Sequence, residues 1–375
     1  SNTVNVGFAP TNLPNPTLRW ERSSSVNLGA DFSFFKDRFS LTAEVYRKKT
    51  DGLLYATTPP LTTGYTSLTR NIGMLTNEGI EFSAGWKIIN NEKIKWSLDA
   101  NIGFNKNRVD RLSGGQGEYL DYSQVVTGSY LFRLQPGMPI GQFYGLKTIG
   151  VWTDKTIQQK PAGFQVGAKE GDRRYADLNN DGVLDDKDRT YLGSALPKYF
   201  GGFSSTVGYR SFELAAFFSY SVGNKIFDYY EFNALSLNRQ QANMREDIYN
   251  QRYRVITPDM SPEEAAAVRA NNEITKTQVA GSTYDPREST DYYLEDGTYL
   301  RCRDLTLSWS LQGRLVRRIS VSGVKLYANC QNLFILTSYP GYNPEVNTRS
   351  GLARGVDDGT SPLGRVYRLG VNVNF

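Results

Sequence analysis

The chain has 375 residues, with 43 Lys and Arg against 38 Asp and Glu for a net charge of +5, no histidine, two cysteines and four methionines. Without histidine, Ser-His-Asp and Cys-His catalysis, zinc sites of the ordinary His type and an imidazole pH switch are excluded, so any bound metal relies on oxygen ligands. No run of about 18 apolar residues occurs and mean hydropathy is −0.47, which excludes membrane-spanning helices but not a membrane β-barrel, whose alternating strands average to a polar composition.

At the start, Ser1-Asn2-Thr3 runs into Pro10, Pro14 and Pro16 with no apolar core. That leaves a cytoplasmic chain or one that begins downstream of its export signal. Period-two alternation follows. Val26, Leu28, Ala30, Phe32 and Phe34 alternate with polar residues, and after the turn Lys36-Asp37-Arg38 come Phe39, Leu41, Ala43 and Val45. A second hairpin is predicted from Ile80, Phe82, Ala84, Trp86 and Ile88, turning at Asn90-Asn91-Glu92 into Ile94, Trp96, Leu98, Ala100, Ile102 and Phe104. A third joins Phe203–Tyr209 to Phe212–Tyr220 through Arg210-Ser211, a fourth pairs Leu305–Leu311 with Val324–Ala328, and a last strand alternates from Tyr367 to Phe375.

Turns within the hairpins are short, whereas the links at about 46–79, 105–199, 221–298 and 337–365 are long and rich in Gly, Pro, Asn and Asp. Short turns on one side and long loops on the other is the asymmetry of an outer-membrane barrel. A soluble sandwich would show similar turns at both ends. The fold class expected is therefore all-β, the C-terminal portion of an antiparallel transmembrane β-barrel. Gly128–Leu134 and Gln142–Trp152 read as a further hairpin that either projects outside or adds two crossings, giving nine or eleven strands. An odd count fits part of a larger barrel, because complete bacterial barrels have an even number. Within the loops, Ser261-Pro262-Glu263-Glu264 supplies an N-cap, a first-position proline and a capping-box glutamate for a short helix in 221–298. Asp228 to Arg254 reads as partly helical.

The sharpest local motif is Asp177 to Asp188 in the 105–199 loop region. Asp177, Asn179, Asp181, Asp185 and Asp188 stand at loop positions one, three, five, nine and twelve, Val183 offers its carbonyl at seven, and Gly182 sits at six where the chain turns sharply. This is EF-hand calcium spacing, with a structural Ca²⁺ as the expected cofactor. Aspartate at twelve is shorter than the usual glutamate and weakens ligation. The competing reading is an ion-free Asx-turn loop. Cys302 and Cys330 lie on two strands of one hairpin, either as a disulfide or as two free thiols.

Trp86, Trp96, Trp309, Tyr220 and Tyr367 occupy strand positions suited to interfacial girdles in contact with membrane lipid. The loop aromatics Tyr119, Tyr122, Tyr130, Tyr229, Tyr230, Phe232, Tyr292, Tyr293, Tyr339 and Tyr342 stand among Asn, Gln, Arg and Asp. That mixture serves either sugar and peptide contact or packing between loops. Scattered basic pairs, Arg317-Arg318 and Lys48-Lys49, give no nucleic-acid footprint.

Several stretches in order along the chain resemble the SusC/RagA-type TonB-dependent outer-membrane transporters. They are Asn15-Pro16-Thr17-Leu18-Arg19-Trp20-Glu21, Asn71-Ile72-Gly73, Asn77-Glu78-Gly79-Ile80-Glu81 and Pro139-Ile140-Gly141-Gln142-Phe143-Tyr144-Gly145. The Asp177 loop with Leu196-Pro197-Lys198-Tyr199-Phe200-Gly201-Gly202, then Tyr299-Leu300-Arg301, Gln331-Asn332-Leu333-Phe334 and terminal Phe375 continue the likeness. Gly341–Glu345 departs from it in carrying Asn343 where the family more often has Asp. The resemblance implies a barrel of about 22 strands with a plugged lumen. It also implies an outer-membrane location and import of oligosaccharides or peptides. The partners it implies are a SusD-like surface lipoprotein as lid and the TonB complex, reached through a segment outside this chain. The alternatives are a non-transporting adhesin or scaffold barrel and, disfavoured by the absent histidine, an outer-membrane hydrolase working with carboxylates alone.

Overall fold

The alternating segments assemble into one antiparallel meander of nine strands, each paired with its sequence neighbour. The computed structural model describes residues 12–57, 59–112, 119–126, 129–234, 246–275, 277, 289–311, 321–346 and 353–374. The wall strands are β1 (Arg22–Phe34), β2 (Phe39–Asp51), β3 (Gly73–Asn90), β4 (Ile94–Leu112), β5 (Tyr199–Tyr209), β6 (Phe212–Val222), β7 (Tyr299–Leu311), β8 (Gly323–Thr337) and β9 (Val366–Asn374). Terminal Phe375 and most of the β7–β8 turn, 312–320, lie outside the described residues.

Register places the apolar residues on one face. Leu28 opposes Val45, Val45 opposes Ile80 and Ile80 opposes Phe104, and across the later strands Leu214 opposes Leu307. This face is bare of protein: Leu28 is 72% exposed and Leu369 88%. Large side chains so exposed in a continuous band belong against lipid. The opposite face carries Thr42, Ser83, Asn101 and their neighbours in register, as a polar inner surface requires. Trp86 meets Phe39 edge to face, and Trp309 stacks on Phe212 at 5.5 Å. Both lie beside the short turns, at one border of the band, as the girdle reading expects.

Among the described residues nine strands form the wall, not eleven. The segments at 129–134 and 142–146 do not cross with the wall. They join 120–126 and 189–194 in a separate four-stranded sheet outside it. The strand expected over 142–152 is also two strands, since 148–151 pairs with 173–175 in another sheet. Strands β2, β3 and β4 run well past the predicted limits, to Asp51, back to Gly73 and on to Leu112. Beyond the lipid band both faces are polar or covered by loops, so alternation stops while the hydrogen-bonded ladder continues.

The buried core of the described residues lies within these loops, not in the wall. Leu131, Phe132, Leu134, Phe143, Phe227, Phe232, Tyr293 and Val356 form it, with Ile72, Leu75 and Val109 from the outer ends of β3 and β4. The Pro262–Ile274 helix forms as predicted, its capping box closed by Ser261 and Glu264. Asp228 to Arg254 gives two short helices, Tyr229–Ala234 and Glu246–Gln251, with 235–245 outside the described residues.

Candidate functional site

The long links converge on one end of the wall and build a layer over it. Arg133 organises one corner. Its guanidinium holds Asp121 through two bonds of 2.6 and 2.8 Å, donates to the Tyr144 hydroxyl at 2.7 Å, and is sandwiched between the rings of Tyr119 and Tyr144 at 3.7 and 3.8 Å. A planar cation between two rings and a fork-matched carboxylate fixes all four side chains. Arg173 does similar work deeper in, stacked 3.7 Å from Tyr292 and fully enclosed.

The aromatics marked by the sequence divide by burial. Tyr122 is 3% exposed and stacked on Phe132 at 5.1 Å, and Tyr339 is 5% exposed with its hydroxyl donating to Asp357 at 2.6 Å. Burial and the adjacent Asp357 push the Tyr339 phenol well above its ordinary range. Tyr292 is half-buried against Arg173 and Tyr293, and Tyr229 is half-buried on Phe232 at 5.5 Å. In this conformation these four serve loop packing. Tyr119, Tyr230 and Tyr342 keep open faces, at 44%, 47% and 74% exposure, and Tyr130 at 38% joins them. Phe232 and Tyr293 belong to the core.

In the Asp177–Asp188 loop the five side chains at the ligand positions, Asp177, Asn179, Asp181, Asp185 and Asp188, each cap a backbone N–H. Gly182 donates to Asp177, Asp181 to Asn179, Val183 to Asp181 and Lys187 to Asp185, at 2.8 to 3.1 Å. Asp188 is wholly buried and accepts from Leu178 and Asp185. Gly182 has φ +76°, the left-handed turn that position six demands. The Val183 amide, the Asn179 side chain and Lys187 hold Asp181 below the usual carboxylate range. One buried oxygen, Asp177 Oδ1, has no hydrogen-bond partner among the described residues. The loop is thus held by side-chain to backbone bonds of the Asx-turn kind, with Gly182 at its sharp turn. Among the described residues, however, no three His, Cys, Asp or Glu side chains are gathered as a metal cage.

Below it, buried Gln165 accepts from the Trp152 indole and the Tyr175 amide at 3.1 Å and donates to the Arg173 carbonyl at 2.9 Å. Neither Gln165 nor Arg173 was marked by any spacing in the sequence. Asn343, the departure from the family pattern, accepts from Arg301 at 2.7 Å, and Glu345 beside it takes Arg301 at 3.0 Å and also Arg303. Cys302 and Cys330 are buried free thiols.

A membrane-exposed antiparallel wall, polar within and roofed by a packed loop layer, defines a transmembrane β-barrel receptor. A family model described as "TonB dependent receptor-like, beta-barrel" matches residues 1–238. TonB-dependent receptor P3 of Formosa agariphila is 31% identical over 98% of this chain and 36% of its own length. TonB-dependent receptor SusC of Bacteroides thetaiotaomicron is 26% identical over 96% of this chain and 32% of its own. The RagAB peptide transporter structure superposes with a TM-score of 0.76 at 21% identity, covering 96% of this chain and 36% of that one. The chain belongs to the TonB-dependent receptor β-barrel family, whose members reside in the bacterial outer membrane. It spans about a third of the length of the curated relatives it matches.

Proposed function

We propose that the receptor carrying this chain imports bulky oligosaccharides or peptides across the outer membrane in a TonB-dependent manner. In this reading the chain supplies wall and outer loops that hold cargo and dock a SusD-like surface lipoprotein, with no covalent chemistry. The observation that carries it is the loop layer: a rigid aromatic core that keeps Tyr119, Tyr230 and Tyr342 open at the outer end of a polar-lined wall. Exposed rings among polar groups suit sugar faces and peptide backbones. The family and the relatives named SusC and RagAB support the transport class.

Uptake of fluorescent oligosaccharide and peptide pools by the native host, with and without the receptor gene, tests the reading. Deletion should abolish uptake of at least one pool, and Tyr230→Ala with Tyr342→Ala should raise its half-saturation concentration several-fold. Unchanged uptake together with lost surface attachment would favour an adhesin, and cleavage of a glycan by the pure receptor would make it an enzyme. Affinity capture of the receptor should bring down a surface lipoprotein.

We also propose that the Asp177–Asp188 loop takes a structural Ca²⁺. Asp177 Oδ1, buried and unpaired, fits a cation, with Asn179, Asp181 and the Val183 carbonyl as further oxygens. Asp185 and Asp188 are the outer ligands by spacing, and both now accept backbone N–H groups. When bound, the ion would add cross-links among these oxygens and stiffen the loop. Calcium titration should slow proteolysis in 177–188, and Asp177→Ala should remove that protection. Identical digestion with calcium and with chelator would exclude the ion.

A further inference from the structure

The lipid-facing surface of β1 to β4 changes character abruptly at its outer end. The last apolar row is Leu28, Val45, Ile80 and Phe104. β5 begins at Tyr199, beside this row, so β1 to β4 continue outward beyond it.

Three further rows follow in register on the same face. The first is Val26, Arg47, Glu78 and Lys106; the second is Ser24, Lys49, Thr76 and Arg108; the third is Arg22, Asp51, Met74 and Arg111. A bulge near the top of β4 brings Asp110 onto this face, where it accepts from Thr76 and Arg108. Six cations against three carboxylates leave a surplus of three positive charges on four adjacent strands.

Spacing sets the depth. Two residues advance a strand by about 6.7 Å, which a tilt near 40° converts to about 5 Å of height. The first two rows therefore stand roughly 5 and 10 Å above the last apolar row, at the level of the polar head groups that flank the hydrocarbon. The long-loop end of an outer-membrane barrel is the cell-surface end.

The carboxylates do not neutralise the patch. Arg47 reaches Glu78 only at 3.8 Å, Arg108 pairs with Asp110 and Arg111 with Asp51. Among the described residues Arg22, Lys49 and Lys106 make no ion pair, and all three are exposed. Beside the third row a cavity of about 650 Å³ opens, lined by four cations, Arg19, Arg22, Arg70 and Arg111, against one carboxylate, Asp51, with Trp20 also in its lining. The Arg70 Nε lining it is buried without a hydrogen-bond partner. A guanidinium Nε left without a partner beside other cations suits an oxyanion.

We propose that this surface binds phosphate-bearing lipid head groups of the outer leaflet. The acyl chains lie along the Leu28–Phe104 row, and the phosphates are held by Lys49, Lys106 and Arg22, with the cavity accepting the outermost one. Charge complementarity at head-group depth selects a lipid over a soluble anion, because a soluble ligand bound here would lie outside the wall and away from the lumen. The inference rests on the outer-membrane wall and not on the transport reading.

The test uses the detergent-purified receptor, titrated with a bis-phosphorylated lipid A and with the same lipid after phosphatase treatment, bound lipid being counted by native mass spectrometry. The phosphorylated form should bind and the dephosphorylated form should not. The variant Arg22→Gln, Lys49→Gln, Lys106→Gln should lose about a hundredfold in affinity, each basic side chain near an anionic surface contributing about fivefold. Lys49→Arg with Lys106→Arg should stay close to the wild type, and heat-modifiable gel migration should show every variant folded. Equal binding of both lipids, undiminished binding by the triple variant, or preference for heparin over the phosphorylated lipid would each overturn the proposal.

Discussion

At the residue scale, polar side chains in the loops are fixed by a few enclosed contacts. Tyr339 and Asp357 form one: the phenol covers one carboxylate oxygen while the Gly359 and Thr360 amides donate to the other. Tyr339→Phe leaves a buried acceptor short of a donor, a loss of about 1–3 kcal/mol. The expected outcome is faster hydrogen exchange at 353–360 in the whole receptor, read by mass spectrometry, with the wall strands unchanged. Asp181 gives a pH dependence. Its folded value is lowered, chiefly by the Val183 amide, so its contribution is present above the ordinary carboxylate value of 3.8 and is lost as pH falls through the lower folded value. The protection factor of Val183 should hold from pH 7 down to about 4 and collapse only below that. The motif spacing made this loop legible in the sequence. Gln165 and Arg173 were not legible, because a buried glutamine or arginine has no periodic signal and its partners come from distant loops.

At the element scale, strands joined by close backbone approaches hold the layer together. Gly145, in the strand Gln142–Leu146, faces the Ser289 carbonyl so closely that a Cβ would lie 1.9 Å from its oxygen. The neighbouring Leu146 amide donates to that same oxygen at 2.9 Å. Gly145→Ala must push the 289–291 segment away, costing about 1–3 kcal/mol of local stability. Limited proteolysis should then cut at 289–296 several times faster than in the wild type, while Gly364→Ala, where no atom lies within 4 Å of the new methyl and the backbone is not left-handed, should change susceptibility far less. The Pro262–Ile274 helix was readable because its start signal is local: cap, proline and glutamate act on adjacent amides. The loop sheets were harder, since strands of two to seven residues are too short to show a period, and their pairing with distant segments is set by the core that they share.

At the scale of the whole molecule, the wall is inverted relative to a soluble protein, its apolar face outward and its buried core displaced into the outer loops. Ala84 lies in the middle of the apolar face between Leu41 and Ala100, and its neighbour Ser83 lies on the other face between Thr42 and Asn101. Ala84→Arg should cost about 2–4 kcal/mol, as a charge at mid-membrane depth does. Ser83→Arg should stay within about 0.5 kcal/mol. Unfolding midpoints of the two variants in lipid vesicles check the difference, and equal costs would place both residues in one environment. The sequence by itself determined the wall, because a period of two with one face in lipid is written into each strand separately, and the short turns fix which neighbours pair. It marked the Asp177–Asp188 turn for the same reason, local spacing. Only the tertiary structure decided that nine strands form the wall, that the 129–146 segments leave it, and that Tyr122 and Tyr339 are enclosed while Tyr230 and Tyr342 stay open. Those outcomes depend on contacts between residues far apart in the chain, which compete for one shared core, and no local pattern records who wins.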